Sequence, residues 1–336
     1  MRRRDLLAGL LLTSAMNGRV SAQAQQPGKV YRIAWVHPSN PVTVLTETGG
    51  LAHYRAFLQE LRRRGYVEGE NLLVERYSGA GQAPPYADLV EAVVRSNPDL
   101  IVLHTVGLAR LFKARTTTIP IVGVVADPIG YGLVSSLAHP GGNFTGVSAD
   151  AGGEVWGKRL ALLKEASPTI SRVSRLYAKL GVNDAMGKAL RDAAQPAGMS
   201  VIDAKAINPI SEAEYRRIFS AMQQEKVDAI VVDDGSENFT HRQLIVELAN
   251  AAKLPVIYPV RDYVDLGGLM AYAVDLGDVF RQAAAQVDTI LKGAKPGEIP
   301  FYQATDFKLL INLKTANSLG LEIPPSLIVR ADEVIE

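Results

Sequence analysis

Cysteine is absent from all 336 residues. No disulfide can brace the fold, and no thiol is available as a nucleophile, a metal ligand or an attachment point for lipid. The sequence also lacks a Gly-x-x-x-x-Gly-Lys phosphate loop, a Gly-x-Ser-x-Gly nucleophile turn and any two histidines four residues apart, which argues against nucleotide hydrolysis, serine-type acyl transfer and a helical zinc site. Gly130-Tyr131-Gly132 lacks the third glycine of a dinucleotide fingerprint and reads as a turn. No cofactor, no metal and no catalytic residue is expected. Charge of one sign is missing too. The whole chain carries a net +1, which gives no electrostatic reason to expect nucleic acid or an anionic membrane as partner.

What is present begins at the first residue. Met1-Arg2-Arg3-Arg4-Asp5 is a positive start, Leu6 to Met16 is apolar, and Ala22-Gln23-Ala24 is a small-x-small cleavage site. This is the layout of a secretory signal peptide over residues 1–24. Its apolar run is about half of the roughly 20 residues that span a bilayer, so it reads as a leader to be removed, not as an anchor. Arg3-Arg4 resembles a twin-arginine signal, and the three arginines serve equally well as an ordinary charged start. Without the leader, which holds four arginines and one aspartate, the remainder carries −2. A protein free in a bacterial periplasm, acting as a monomer and not embedded in the membrane, is the simplest destination.

The remaining length suggests two domains. Apolar strand-like runs alternate with helical spacing from Val30 onward. Asp99 to Leu103, Ile119 to Val125 and Val227 to Val232 are runs dominated by apolar residues, of the kind covered on both faces in a parallel sheet. Ser211 and Glu214 predict a capping box, and Asp275 predicts a cap for a helix over 279–291. Two successive β-α arrays of about 120 residues predict an α/β protein with two doubly wound parallel-sheet lobes. Extra pieces in the last third predict that the chain crosses back to the first lobe and returns.

In open α/β sheets, ligands bind outside the carboxyl ends of the strands. That rule selects His37, Ser39 and Asn40 after the first strand, His104 and Thr105 after the third, and Asp127 after the fourth. In the second array it selects Tyr177, then Asp233, Asp234 and Ser236, then Tyr258. First-lobe hydroxyls, amides and helix N-termini suit a carboxylate. Second-lobe aspartates and tyrosines suit an ammonium and an aromatic body. Each residue has a plainer reading: helix caps for Ser39, Thr105 and Ser236, a turn for Asp127, and packing for Tyr177 and Tyr258. Asp233 and Asp234, adjacent at a strand end, point to opposite faces and do not form an acid-base pair.

Several blocks resemble a known family. Asp127-Pro128-Ile129-Gly130 followed by Pro140-Gly141-Gly142-Asn143-Phe144-Thr145-Gly146-Val147 is one. Leu254 to Tyr258, Val274-Asp275-Leu276-Gly277, and Leu319 to Leu327 with Ala331 to Ile335 are others. Together they are similar to ABC-transporter substrate-binding proteins of the tryptophan/tyrosine-type uptake family. The resemblance implies a type I periplasmic-binding fold, with lobe 1 at 27–147 plus 270–302 and lobe 2 at 148–269 plus 303–336. It places three hinge crossovers near 147–150, 266–269 and 302–305. It implies capture of a small organic solute, an amino acid or aromatic carboxylate foremost, and delivery to an ABC permease and its ATPase, with no catalysis. Three departures bear on the ligand, one being Ala178-Lys179-Leu180-Gly181 where members that bind aromatic amino acids favour an Asn-Pro turn. His104 stands in a loop that is small and hydroxyl-rich in better-known members, and Asp233-Asp234 stands where aromatic-amino-acid binders have Asp-Asn. A sensory protein presenting its ligand state to a membrane receptor is the alternative. At this stage Asp234→Ala or His104→Ala is expected to weaken ligand binding with little loss of stability.

Overall fold

A computed structural model describes residues 29–79, 86–149, 153–178, 185–206 and 210–336. The leader and Pro84-Pro85, prolines that predict the start of a helix running to Val94, lie outside them. The first array runs β1 (Tyr31–His37), α1 (Ala52–Arg63), β2 (Leu72–Ser78), α2 (Tyr86–Ser96), β3 (Leu100–His104), α3 (Val106–Arg115), β4 (Ile121–Val125) and β5 (Phe144–Ser148). The second runs α4 (Gly153–Ala166), β6 (Arg172–Ala178), α5 (Ala185–Ala194), β7 (Ser200–Ala206), α6 (Glu212–Gln224), β8 (Ala229–Val232), α7 (Ser236–Thr240), α8 (Arg242–Ala251), β9 (Val256–Tyr258), α9 (Arg261–Asp265) and β10 (Met270–Val274). Then come α10 (Leu276–Leu291), β11 (Tyr302–Gln303), β12 (Phe307–Asn312), α11 (Leu313–Leu319), α12 (Pro325–Arg330) and β13 (Glu333–Ile335).

Two sheets result. Their orders are β2-β1-β3-β4-β5-β11 and β7-β6-β8-β9-β10-β12-β13. The opening five strands of each array take the same order, which turns back on itself between its first and third strands. In both lobes that point, where doubly wound sheets hold ligands, is therefore set by the same connections. Pairing is parallel except for β12, which runs antiparallel to β10. Each sheet is packed on both faces, which is why β3, β4, β8, β9 and β10 are almost entirely apolar.

The chain crosses between lobes three times: after β5, between β10 and α10, and between β11 and β12. The middle crossing differs from the expectation. Residues 270–274, assigned above to lobe 1, pair with β9 and β12 in the second sheet. The switch comes at Asp275, which ends the strand and caps α10 by accepting from Gly277 N at 2.7 Å. Helix α10 then packs on α1 and on the first sheet, burying Val279, Phe280, Ala283, Ala284 and Val287 against Tyr54, Phe57, Leu58 and Leu61.

The Pro-Gly-Gly-Asn block has a structural origin. Gly141 and Gly142 take φ of 72° and 64°, which favours glycine. Asn143 Nδ2 donates to the carbonyls of Ile119 (2.7 Å) and Thr116 (3.1 Å), fixing β5 beside β4. A Cβ on Gly146 would lie 1.9 Å from the Gly123 carbonyl oxygen, so the close approach of these strands requires glycine.

One polar knot holds α10 to α1. Asp288 accepts from Arg64 Nη1 and Tyr66 Oη, each at 3.0 Å, and pairs with Lys292. Burial alone would raise this carboxyl, but Lys292, Arg64 and Tyr66 hold it below its usual range. Asp288→Ala is expected to cost about 2 kcal/mol near neutral pH in urea unfolding. A depressed folded-state pKa contributes stability in full above the unfolded carboxylate value of about 4, and loses it as pH falls through the folded value. The gap between the variant and the parent protein should therefore close in acid.

Candidate functional site

Pro38 and Pro41 keep the chain from continuing as strand or helix after β1, and the loop is pinned from several sides. Ser78 Oγ donates to Asn40 O (2.7 Å), Arg76 Nε to Leu45 O (2.6 Å) and Tyr86 Oη to Pro38 O (3.2 Å). The loop closes on the imidazole that precedes it. His37 Nδ1 accepts from the backbone N–H of Asn40 (2.7 Å) and Ser39 (3.1 Å), which leaves the ring proton on Nε2. Asn40 Nδ2 donates to Tyr54 Oη at 2.8 Å.

His104, at the end of β3, lies beside His37 with ring centroids 5.0 Å apart. Its Nε2 accepts from Trp35 Nε1 at 2.7 Å, so its proton sits on Nδ1. Phe280 of α10 stacks on it at 5.1 Å, and Tyr54 and His53 of α1 complete an aromatic wall. Burial pushes His104 and His53 down to about 3 and His37 well below its ordinary value. The charge of each neighbouring imidazole, and of Arg242 and Arg55 on His53, acts in the same direction.

The second lobe meets this wall directly. Ser39 Oγ donates to Ser236 O (3.3 Å), and Thr240 Oγ1 reaches Ser39 Oγ (3.1 Å) and Asn40 Oδ1 (3.4 Å). Phe239 packs against His53 with centroids 5.9 Å apart, under the Arg242 guanidinium. The lobes are therefore in contact at their strand ends. The second lobe also acts electrostatically on the turn after β4. Burial, then the charges of Asp234 and Asp233 from the other lobe, raise the Tyr131 hydroxyl.

The expected residues divide accordingly. His37, Ser39, Asn40, His104 and the Ser236 carbonyl come together at the junction. Thr105 opens α3 at φ 76°, a strained position for a β-branched residue, and its side chain caps nothing. Asp127 accepts from Gly130 N at 2.8 Å and builds a turn. Tyr177 is half-buried, its ring 4.3 Å from the Arg175 guanidinium. Asp233 is buried and already engaged, accepting from Arg175 Nη2 (3.2 Å) and Gly235 N (2.8 Å). Asp234 is exposed. Tyr258 stacks on Tyr263 at 4.7 Å in the second-lobe core, fully buried, and forms part of the packing beneath the cleft. His104 is as much packing as site, which corrects the expectation that its loss would leave stability intact.

Sequence reasoning missed Tyr54, Phe239, Thr240, Phe280 and Glu237. Phe280 comes from a helix far along the chain, and no local pattern marks it. Glu237 reads as an acidic first-turn residue favoured by the helix dipole, yet it is only 5% exposed and its Oε1 has no partner.

With this geometry in hand, the chain matches the family described as ABC transporter substrate binding protein over residues 41–335. A tyrosine-binding protein of Clostridioides difficile is 26% identical over 270 residues, covering 80% of this chain and 76% of that protein. A conserved domain protein from Vibrio cholerae superposes with a TM-score of 0.81 at 27% identity, covering 91% of this chain and 100% of that one. An ABC domain from Streptococcus pneumonia in complex with L-Trp gives 0.79 at 25% identity, with the same coverage.

His104→Ala is expected to lower stability by about 2–4 kcal/mol in urea unfolding, through a lost buried ring and an orphaned indole N–H. The histidines also predict acid lability. Their folded pKa values lie below the unfolded value of about 6.5, so the unfolded chain binds more protons between pH 6.5 and 3. Their full contribution is present above that window and falls by up to about 1.4 kcal/mol per pH unit for each histidine as pH drops through it. Melting temperature followed from pH 7 to 4 should fall, and less steeply in His53→Phe.

Proposed function

Because the chain belongs to the ABC transporter substrate-binding protein family, we propose that it captures an aromatic amino acid or aromatic carboxylate between its lobes for delivery to a membrane permease driven by a separate ATPase. The observation that carries this reading is the meeting of the two strand-end surfaces. Ser39 and Asn40 bond to Ser236 and Thr240 beside a wall of His37, Tyr54, His104 and Phe280. A ligand ring held there gains stacking and edge contacts of about 0.5–1.5 kcal/mol each beyond its buried area. Arg242 lies over Phe239 and acts on His53 and Tyr54 of the other lobe, so a ligand carboxylate would find a cation there. The relatives support the solute class, since one is named for tyrosine and another holds L-Trp.

Closure about the three crossovers would give the permease a shape that reports occupancy. Release by the leader and work as a free periplasmic monomer belong to the same reading. Among the described residues no helix is long and apolar enough to cross a membrane. No catalytic step is part of it.

The test is thermal unfolding of the protein without its leader against L-tyrosine, L-tryptophan and benzoate. A ligand at one hundred times its dissociation constant should add about 2.7 kcal/mol of stability. Uptake of the stabilising compound should fall in a strain lacking the gene. Intact uptake would point to the sensory role instead, and no stabilisation by any of the three would overturn the solute class.

A further inference from the structure

We infer that Glu237 is the anionic partner of a positively charged nitrogen on the ligand. The inference rests on the receptor reading above and narrows it, from an aromatic acid of any kind to one that carries an amine. The cleft holds three acidic groups at the end of β8, and they are not equivalent. Asp233 is bound by the Arg175 guanidinium and by Gly235 N. Asp234 is exposed at the surface. Glu237 is 5% exposed, and the one side-chain bond it accepts comes from Ser236 Oγ to Oε2 at 3.2 Å. Its Oε1 is buried without a partner.

A carboxylate in that setting costs several kcal/mol unless a donor or cation completes it. Burial raises its carboxyl pKa and the Asp233 charge adds to this, against hydrogen bonds from its own backbone N–H and from Ser236; no arginine, lysine or histidine figures among the groups that act on it. Its place in the fold says where a partner would come from. The adjacent Ser236 carbonyl is bonded to Ser39 of the first lobe. Thr240, one turn later, touches Ser39 and Asn40. Tyr86 of the first lobe and Tyr215 of the second both feel the Glu237 charge. Glu237 therefore lies on the segment that meets the first lobe at Ser39 and Asn40, the side of the junction where a ligand would be enclosed. Stability alone does not explain such a group, because a neutral amide of the same shape would be cheaper there.

The experiment uses the protein without its leader, Glu237→Gln and Glu237→Ala. Three probe sets are titrated by calorimetry and thermal shift: phenolic, indolic and aliphatic, each as the amino acid, the amine lacking its carboxylate and the acid lacking its amine. The expected result is binding of at least one amine-bearing probe, weakened tenfold or more in Glu237→Gln, with the deaminated acid weak and unchanged. Without ligand, Glu237→Gln should melt at the same temperature or higher. Equal amine affinity in the variant, or a lower melting temperature without ligand, overturns the inference. Binding of acids but of no amine overturns it while the receptor reading stands. Binding of no probe overturns both.

Discussion

The hydrogen bonds between Ser39 and Asn40 of one lobe and Ser236 and Thr240 of the other, with the Phe239–His53 ring contact beside them, join two lobes that are packed around their own sheets. These bonds are few and lie between hydroxyls, a carbonyl and an amide. Each is worth about 1 kcal/mol net, far less than the buried apolar faces within each lobe. Closing the lobes therefore changes little of either interior, while a ligand that adds its own contacts at the junction shifts the balance strongly. The rigidity needed on each side comes from elsewhere. The loop after β1 is fixed by its own histidine and by Ser78, Arg76 and Tyr86. The segment after β8 is fixed by Asn238, which bonds Tyr215 Oη at 2.8 Å and the Leu176 carbonyl at 3.1 Å.

The repeated β-α alternation was legible because apolar runs covered on both faces leave a clear signal, and because proline and glycine punctuate them. The caps at Ser211 and Asp275 were legible for the same local reason. Strand β5 was harder to read, since Phe144-Thr145-Gly146-Val147-Ser148 carries a glycine that a lone strand would avoid and that only the nearness of β4 demands. The second crossover was misplaced by a few residues because Met270 to Val274 reads as a strand in either lobe. Only its pairing with β12, more than thirty residues away, decides which.

Strand ends pointed to loops that meet at the lobe junction, and within those loops to His37, Ser39, Asn40 and Ser236. What they could not supply is the state of each side chain. Asp233 and Glu237 are both acidic and both buried, yet one is paired with an arginine from β6 and the other has one carboxylate oxygen without a hydrogen-bond partner. That distinction belongs to the packing of distant elements. The same holds for His104, whose role is set by Trp35 and Phe280, one from the first strand and one from the tenth helix.

The placement of α10 has a consequence for how the chain is made. Tyr54, Phe57, Leu58 and Leu61 on α1 are covered by a helix that begins only at Leu276. At synthesis rates of about 5–20 residues per second, that apolar stripe waits roughly 10–40 s for its cover. The first lobe is begun first and cannot be finished until the second is nearly complete. A nascent chain of this design needs a chaperone, or a route that keeps it unfolded, through most of its own translation.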